Sequence, residues 1–311
     1  MRVLICLYLF LLSSSLWAME KNGFDLSASL IENELIKFGG PAKDGIASID
    51  RPIFLPAKQA LLKSDQRVVG VFYNGVAKAY PINILNWHEV VNDYFDEHPV
   101  MVSYCPLCGS AMVFDAQMQG QRLEFGVSGL LYDSDVLLYD RQTESLWSQL
   151  LEKAVSGPFK AQNLTLLPSM HTTFEHWLQL YPESLVLSEN TGFKRDYDRD
   201  PYQGYSETKR LYFDVSNTSA HSLHPKQWVL GLKLNEVSKA YPLNILKEGK
   251  VSRVVEEIDG QQVIIEYNPQ ANTAFATDLE GNVLPTVLSY WFAWYTFNPQ
   301  TQLYLNPSQP H

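Results

Sequence analysis

Residues 70–85, Gly-Val-Phe-Tyr-Asn-Gly-Val-Ala-Lys-Ala-Tyr-Pro-Ile-Asn-Ile-Leu, recur at 231–246 as Gly-Leu-Lys-Leu-Asn-Glu-Val-Ser-Lys-Ala-Tyr-Pro-Leu-Asn-Ile-Leu, and ten of the sixteen positions are identical. The match resumes further on, where Tyr104, Pro106, Ala111 and Asp115 find partners in Tyr267, Pro269, Ala274 and Asp278. A weaker echo pairs Tyr139-Asp140-Arg141-Gln142-Thr143 with Phe297-Asn298-Pro299-Gln300-Thr301. Two copies fall short of the roughly three that a solenoid needs. In the first copy Asn74-Gly75 separates two strand-like runs, which is a strong hairpin signal. The expected fold is therefore α+β and β-rich, with two pseudo-repeated β halves packed as one unit with short helices. The halves span 57–150 and 226–306, a connecting region runs from 151 to 225, and a leader segment covers 19–56. Short helices are expected around Ala57 to Leu62, Ile82 to Phe95, and Thr172 to Tyr181.

Composition narrows the function classes. The 311 residues carry a formal net charge of −10 and no cluster of Lys and Arg. Nucleic acid, which is bound through clustered basic residues, is not expected as a partner. At the N-terminus Arg2 precedes the apolar run Val3 to Leu12, and Ser13-Ser14-Ser15 leads to Trp17-Ala18. This reads as a signal peptide over 1–18, and hence a periplasmic protein with no integral membrane span after processing. The rival is an uncleaved anchor, although the run is shorter than the roughly 18–20 residues of a spanning helix. A periplasmic protein partner is conceivable and has no signature here.

Removal of residues 1–18 leaves two cysteines, Cys105 and Cys108, in the turn Tyr-Cys-Pro-Leu-Cys-Gly at 104–109. Two thiols two residues apart can close a disulfide or grip one metal ion. So short a loop gains little chain entropy from a disulfide, so chemistry is the better expectation than stapling. The second copy places Asn268 and Ala271 opposite the cysteines, and Glu248-Gly249-Lys250 opposite Trp87-His88-Glu89. It has lost the histidine, the glutamate and both thiols together. His88, Cys105 and Cys108 are accordingly the expected metal ligands, for one transition-metal ion, copper or zinc. Glu89 or water is open as a fourth ligand, and His88 as an ordinary core or surface histidine is the bland alternative. His171, His176, His221 and His224 lack spacing partners. Met101 and Met112 fit strand-core positions, and Tyr290 to Tyr295 fits packed core. The acids of 196–205 lack the pattern of a calcium loop. Tyr132-Asp133-Ser134-Asp135 and Asp140-Arg141 either line the cleft or form turns.

At Trp87 to Asp93, Tyr104 to Ala111, Phe125 to Leu131, Leu138 to Trp147 and Trp291 to Tyr295 the chain resembles a bacterial family catalogued as domain of unknown function 3179. The resemblance covers about residues 50–305. It implies one family unit and no reaction. The leading expectation is an exported metal-binding protein. The alternative is periplasmic thiol–disulfide exchange, with Cys105 attacking and Cys108 resolving; a strand after the motif would deny it a helix N-terminus to lower a thiol pKa. A second alternative is metal-assisted hydrolysis with Glu89 as general base. A non-catalytic binding or assembly module is the remaining class.

Overall fold

The computed structural model describes residues 20–219, 221 and 223–305, so the expected signal peptide lies outside the described residues. The hairpin around Asn74-Gly75 forms. Arg67–Tyr73 pairs antiparallel with Val76–Pro81, Tyr73 opposite Val76, and both turn residues have positive φ (49° and 76°). Two consecutive positive φ values make the tight turn that matches strand twist. Trp228–Leu234 and Val237–Pro242 pair in the same register, Leu234 opposite Val237.

The recurring residues have matching jobs. Lys78 and Tyr80 both bond the Asp93 carboxylate, at 2.8 and 2.5 Å, and Lys239 and Tyr241 both bond Glu256. A buried lysine needs such a partner, which accounts for the repeated Lys-Ala-Tyr. Among the described residues four α-helices accompany the strands, α1 (Ile82–His88), α2 (Phe174–Leu180), α3 (Leu243–Glu248) and α4 (Trp291–Phe297), with short 3-10 helices at Asn33–Leu35 and Ala57–Gln59. Trp177 of α2 lies flat on Gly70 and Trp294 of α4 on Gly231. A Cβ at either glycine would come within 2.2 or 2.1 Å of the indole.

The β-rich α+β class holds, but two pseudo-repeated halves do not. The main strands among the described residues sort into five sheets of four or five strands, a five-bladed β-propeller. The first sheet runs Met170–Thr173, Arg67–Tyr73, Val76–Pro81, Leu185–Leu187, Phe54–Pro56. The second runs Leu166–Leu167, Ser110–Asp115, His98–Cys105, Val90–Phe95. The third is Lys153–Ala154, Leu146–Ser148, Asp135–Asp140, Phe125–Tyr132, Ile36–Phe38. The fourth is Val287–Tyr290, Trp228–Leu234, Val237–Pro242, Gln302–Leu303, and the fifth Arg253–Ile258, Gln261–Asn268, Thr273–Thr277, Val283–Leu284. The physical reason lies in the helices. Each recurring hairpin runs into α1 or α3, which turns the chain out of its sheet, so the strands after each helix build a separate blade. Four strands of the third blade come from residues after Asp115 that the later copy does not possess, and the fifth, Ile36–Phe38, from the leader segment. The echo between 139–143 and 297–301 is not structural, because the first leaves a strand of the third blade and the second leaves α4.

Blades meet where Phe125–Tyr132 contacts Val90–Phe95, and where Ser110–Asp115 contacts Val287–Tyr290. The apolar cluster between them includes Cys105, Cys108, Met101, Met112, Trp147, Trp291 and Trp294, all essentially inaccessible. Met101, Met112 and the aromatic segment of α4 are thus core, as expected. No helix among the described residues is long and apolar enough to cross a membrane.

Candidate functional site

Cys105 ends the strand His98–Cys105 opposite Ser110, and Pro106 to Gly109 turns the chain back. The Cys108 N–H donates to the Cys105 carbonyl at 3.2 Å, and the Tyr290 N–H donates to the Cys108 carbonyl at 2.8 Å. The turn is thereby tied to the fourth blade. Gly109 has φ +63°, and a Cβ there would lie 2.8 Å from the Trp228 ring. Both conformation and space require glycine. A strand, Ser110–Asp115, follows the turn as expected, so no helix dipole acts on either sulfur.

The third blade contributes the other half of the site. Tyr132 pairs with Asp135 across a two-residue turn, Asp133 and Ser134, with φ of 51° and 66°. The Ser134 carbonyl lies 3.4 Å from the Cys108 sulfur and 3.7 Å from that of Cys105. Both sulfurs and a carboxylate oxygen of Asp135 lie within 4.8 Å of one another. Asp135 Oδ2 accepts from the Leu150 N–H at 2.9 Å and the Ser148 hydroxyl at 3.3 Å. Its Oδ1 is buried and accepts no hydrogen bond of ordinary geometry, although the Cys108 thiol is near enough to favour the ionised form slightly. Burial raises this carboxyl to about 7. Burial, with Cys105 and Asp135 beside it, pushes the Cys108 thiol well above its usual range. Cys108 is therefore protonated at neutral pH, with a carboxyl at hand that can exchange its proton.

His88 is not in this cluster. The expected helix over 82–95 stops at His88, and the chain reverses at Glu89, which has φ 58°. His88 Nδ1 is 2.7 Å from the Ala47 carbonyl and Nε2 2.7 Å from the Tyr197 hydroxyl, and burial lowers its pKa. With both ring nitrogens occupied it is a satisfied core histidine, so the expected His88/Cys105/Cys108 set is not brought together, and the group that could hold an ion is Cys105/Cys108/Asp135. The reversal brings Glu89 to the cysteines instead: Val90 pairs with Ser103, and the Tyr104 N–H donates to the Glu89 carbonyl at 2.8 Å. Glu89 is only 6% exposed. Burial and the nearby Asp135 raise its carboxyl to about 8, with the Tyr202 hydroxyl opposing. Lys250, at the matching turn, shares the positive φ (52°) but is exposed. The backbone conformation is thus the scaffold's, and the buried carboxyl is what sets Glu89 apart.

Glu89, Cys105, Leu107, Val127, Leu131 and Tyr202 line a cavity of about 90 Å³ that Cys108 does not reach. Tyr205 packs over the sulfurs with its hydroxyl buried and unpartnered. The other histidines stand elsewhere: His171 packs against Tyr104 and Trp228, His176 bonds Thr172, and His224 accepts from the Lys226 N–H. Asp140 accepts from Trp147 and Thr143 within the third blade, and Arg141 pairs with Asp44. Sequence reasoning missed Asp135 as a member of the site. The only signal is the turn-like Tyr132 to Asp135 segment, which reads equally as cleft lining or as a plain turn.

The cluster can close a disulfide, since both cysteines are free, or hold one transition-metal ion. A family model described as "Protein of unknown function (DUF3179)" matches residues 43–284. No curated protein and no solved structure matches the chain.

Proposed function

The chain belongs to that family of unknown function, and for it we propose a thiol–disulfide couple formed by Cys105 and Cys108 that exchanges with an external disulfide or thiol. The observation that carries this is the convergence of two free, buried thiols on one buried carboxyl. Cys105 attacks the external disulfide, its sulfur bonds to one partner sulfur, and the other leaves as a thiol. Cys108 passes its proton to Asp135 and attacks Cys105, and the second partner sulfur departs with a proton. One disulfide is reduced and one is formed. Asp135 supplies what a helix N-terminus would otherwise supply, a way to generate the thiolate when it is needed. An oxidising compartment suits such a couple, consistent with export directed by residues 1–18 and a periplasmic location.

Maleimide trapping with intact-mass measurement tests the couple. Two adducts are expected on reduced protein, none after oxidation, and two again after dithiothreitol. Persistence of both adducts under every oxidant would remove it.

The convergence of the Asp135 carboxyl on both sulfurs favours a second use of the reduced pair, holding a metal ion with the two sulfurs. Copper(I) suits the thiolates alone; zinc would also take the carboxylate and a fourth donor. Elemental analysis of protein purified without chelator decides it, one equivalent being expected and none refuting it.

A further inference from the structure

We infer that the cavity beside Cys105 is the substrate pocket of the dithiol and that it takes a small, uncharged hydroperoxide. This rests on the thiol–disulfide couple and names its oxidant.

Three observations carry it. The first is access. Cys105 and Cys108 are 1% and 0% exposed, and only Cys105 borders the cavity. The second is size. A volume of about 90 Å³ corresponds to roughly three water molecules at about 30 Å³ each. A few heavy atoms fit wholly within it, whereas a peptide or glutathione disulfide can bring only its sulfurs to Cys105 from the open side, and more slowly. The third is polarity. The walls are apolar except for the Glu89 carboxyl and the Tyr202 phenol, and no lysine or arginine lines them. With no cation to pair it an anion is disfavoured, whereas a neutral molecule with an oxygen that accepts from the Glu89 carboxyl is suited. Among neutral oxidants of that size a hydroperoxide is the class whose leaving oxygen needs a proton, which the Glu89 carboxyl facing the same cavity as Cys105 can give.

The chemistry closes on residues present. The Cys105 sulfur gives up its proton to the Asp135 carboxylate and attacks the nearer peroxide oxygen. The O–O bond breaks, and the leaving oxygen departs as an alcohol, or as water from hydrogen peroxide, with a proton from the Glu89 carboxyl. Cys105 is then a sulfenic acid. The Cys108 sulfur attacks it, the S–O bond breaks, and the hydroxyl leaves as water with the Cys108 proton. The proton held by Asp135 restores Glu89. In sum, two thiols and one hydroperoxide give one disulfide, one alcohol and one water. An external thiol then reduces the disulfide by exchange.

The test uses the reduced full chain, treated with chelator, mixed separately with hydrogen peroxide, cumene hydroperoxide and oxidised glutathione. Disulfide formation is followed by acid quench, maleimide trapping and intact mass. Hydrogen peroxide is expected to react fastest, and the bulkier two to lag behind it. Glu89→Gln is expected to slow hydrogen peroxide by about 100-fold, the lower end of what a positioned acid supplies. The same variant should keep the near-UV circular dichroism of the native chain and still form the full disulfide at dithiothreitol equilibrium, which a merely unfolded protein would not. Oxidised glutathione matching hydrogen peroxide, or an unaltered rate in Glu89→Gln, would overturn the pocket while leaving the couple intact. Absence of a disulfide even at dithiothreitol equilibrium would remove the couple, and the pocket with it.

Discussion

At the scale of single residues, two buried acids dominate the behaviour of the site. Asp135 and Glu89 titrate near 7 and 8, against ordinary values of 3.8 and 4.5. The folded chain therefore holds more protons than the unfolded chain across that interval. The stabilisation is full below the unfolded pKa values and is lost as pH rises through the folded ones. His88 acts with the opposite sign: its pKa is lowered on folding, so its contribution is lost as pH falls below its ordinary 6.5. Urea midpoints are expected to fall for these acids from about pH 4 to about pH 8. Asp135→Asn and Glu89→Gln should each flatten that fall. His88→Ala should cost about 1–3 kcal/mol, since it removes the partner of the part-buried Ala47 carbonyl and one of the two partners of the Tyr197 hydroxyl, and leaves space where a buried ring packed. It should leave the thiol count untouched, which the same trapping assay reads. Cys105 and Cys108 were legible because thiols are rare and closely spaced here. Asp135 was not, because it reaches them across a blade boundary that no local pattern records.

At the scale of elements, the recurring hairpins were legible because turn chemistry is local. Asn74-Gly75 takes two positive φ values and Asn235-Glu236 only one, at Asn235, and strand alternation does the rest. The two glycines under tryptophan give this a quantitative edge. Gly70→Ala and Gly231→Ala force a methyl into an indole ring and should each cost about 3 kcal/mol or more in denaturant unfolding. Gly75→Ala meets nothing within 4 Å and should cost only about 1–2 kcal/mol, from its positive φ alone. Equal losses at all three positions would contradict the tryptophan packing. The end of α1 was less legible. Ile84, Leu85, Val90 and Val91 suit one helix face as well as they suit a helix followed by a strand. Pairing of Val90–Phe95 with the cysteine strand settled the choice, and with it which of His88 and Glu89 faces the thiols.

At the scale of the whole molecule, the repeat revealed matching parts without revealing how many blades they build. Blade number depends on where helices interrupt the sheets and on an inserted third blade, and both are decided by long-range packing. The site sits at a junction of the second, third and fourth blades: one supplies the sulfurs, the next the carboxyl, and the last holds the turn through Tyr290. That joint construction is tested most directly by the reduction potential of the Cys105–Cys108 couple, measured against dithiothreitol across neutral pH in the native chain, Asp135→Asn and His88→Ala. A single two-electron midpoint is expected, with its pH dependence altered by Asp135→Asn and unchanged by His88→Ala. A couple that never forms a disulfide, or one whose midpoint follows His88 and ignores Asp135, would contradict it.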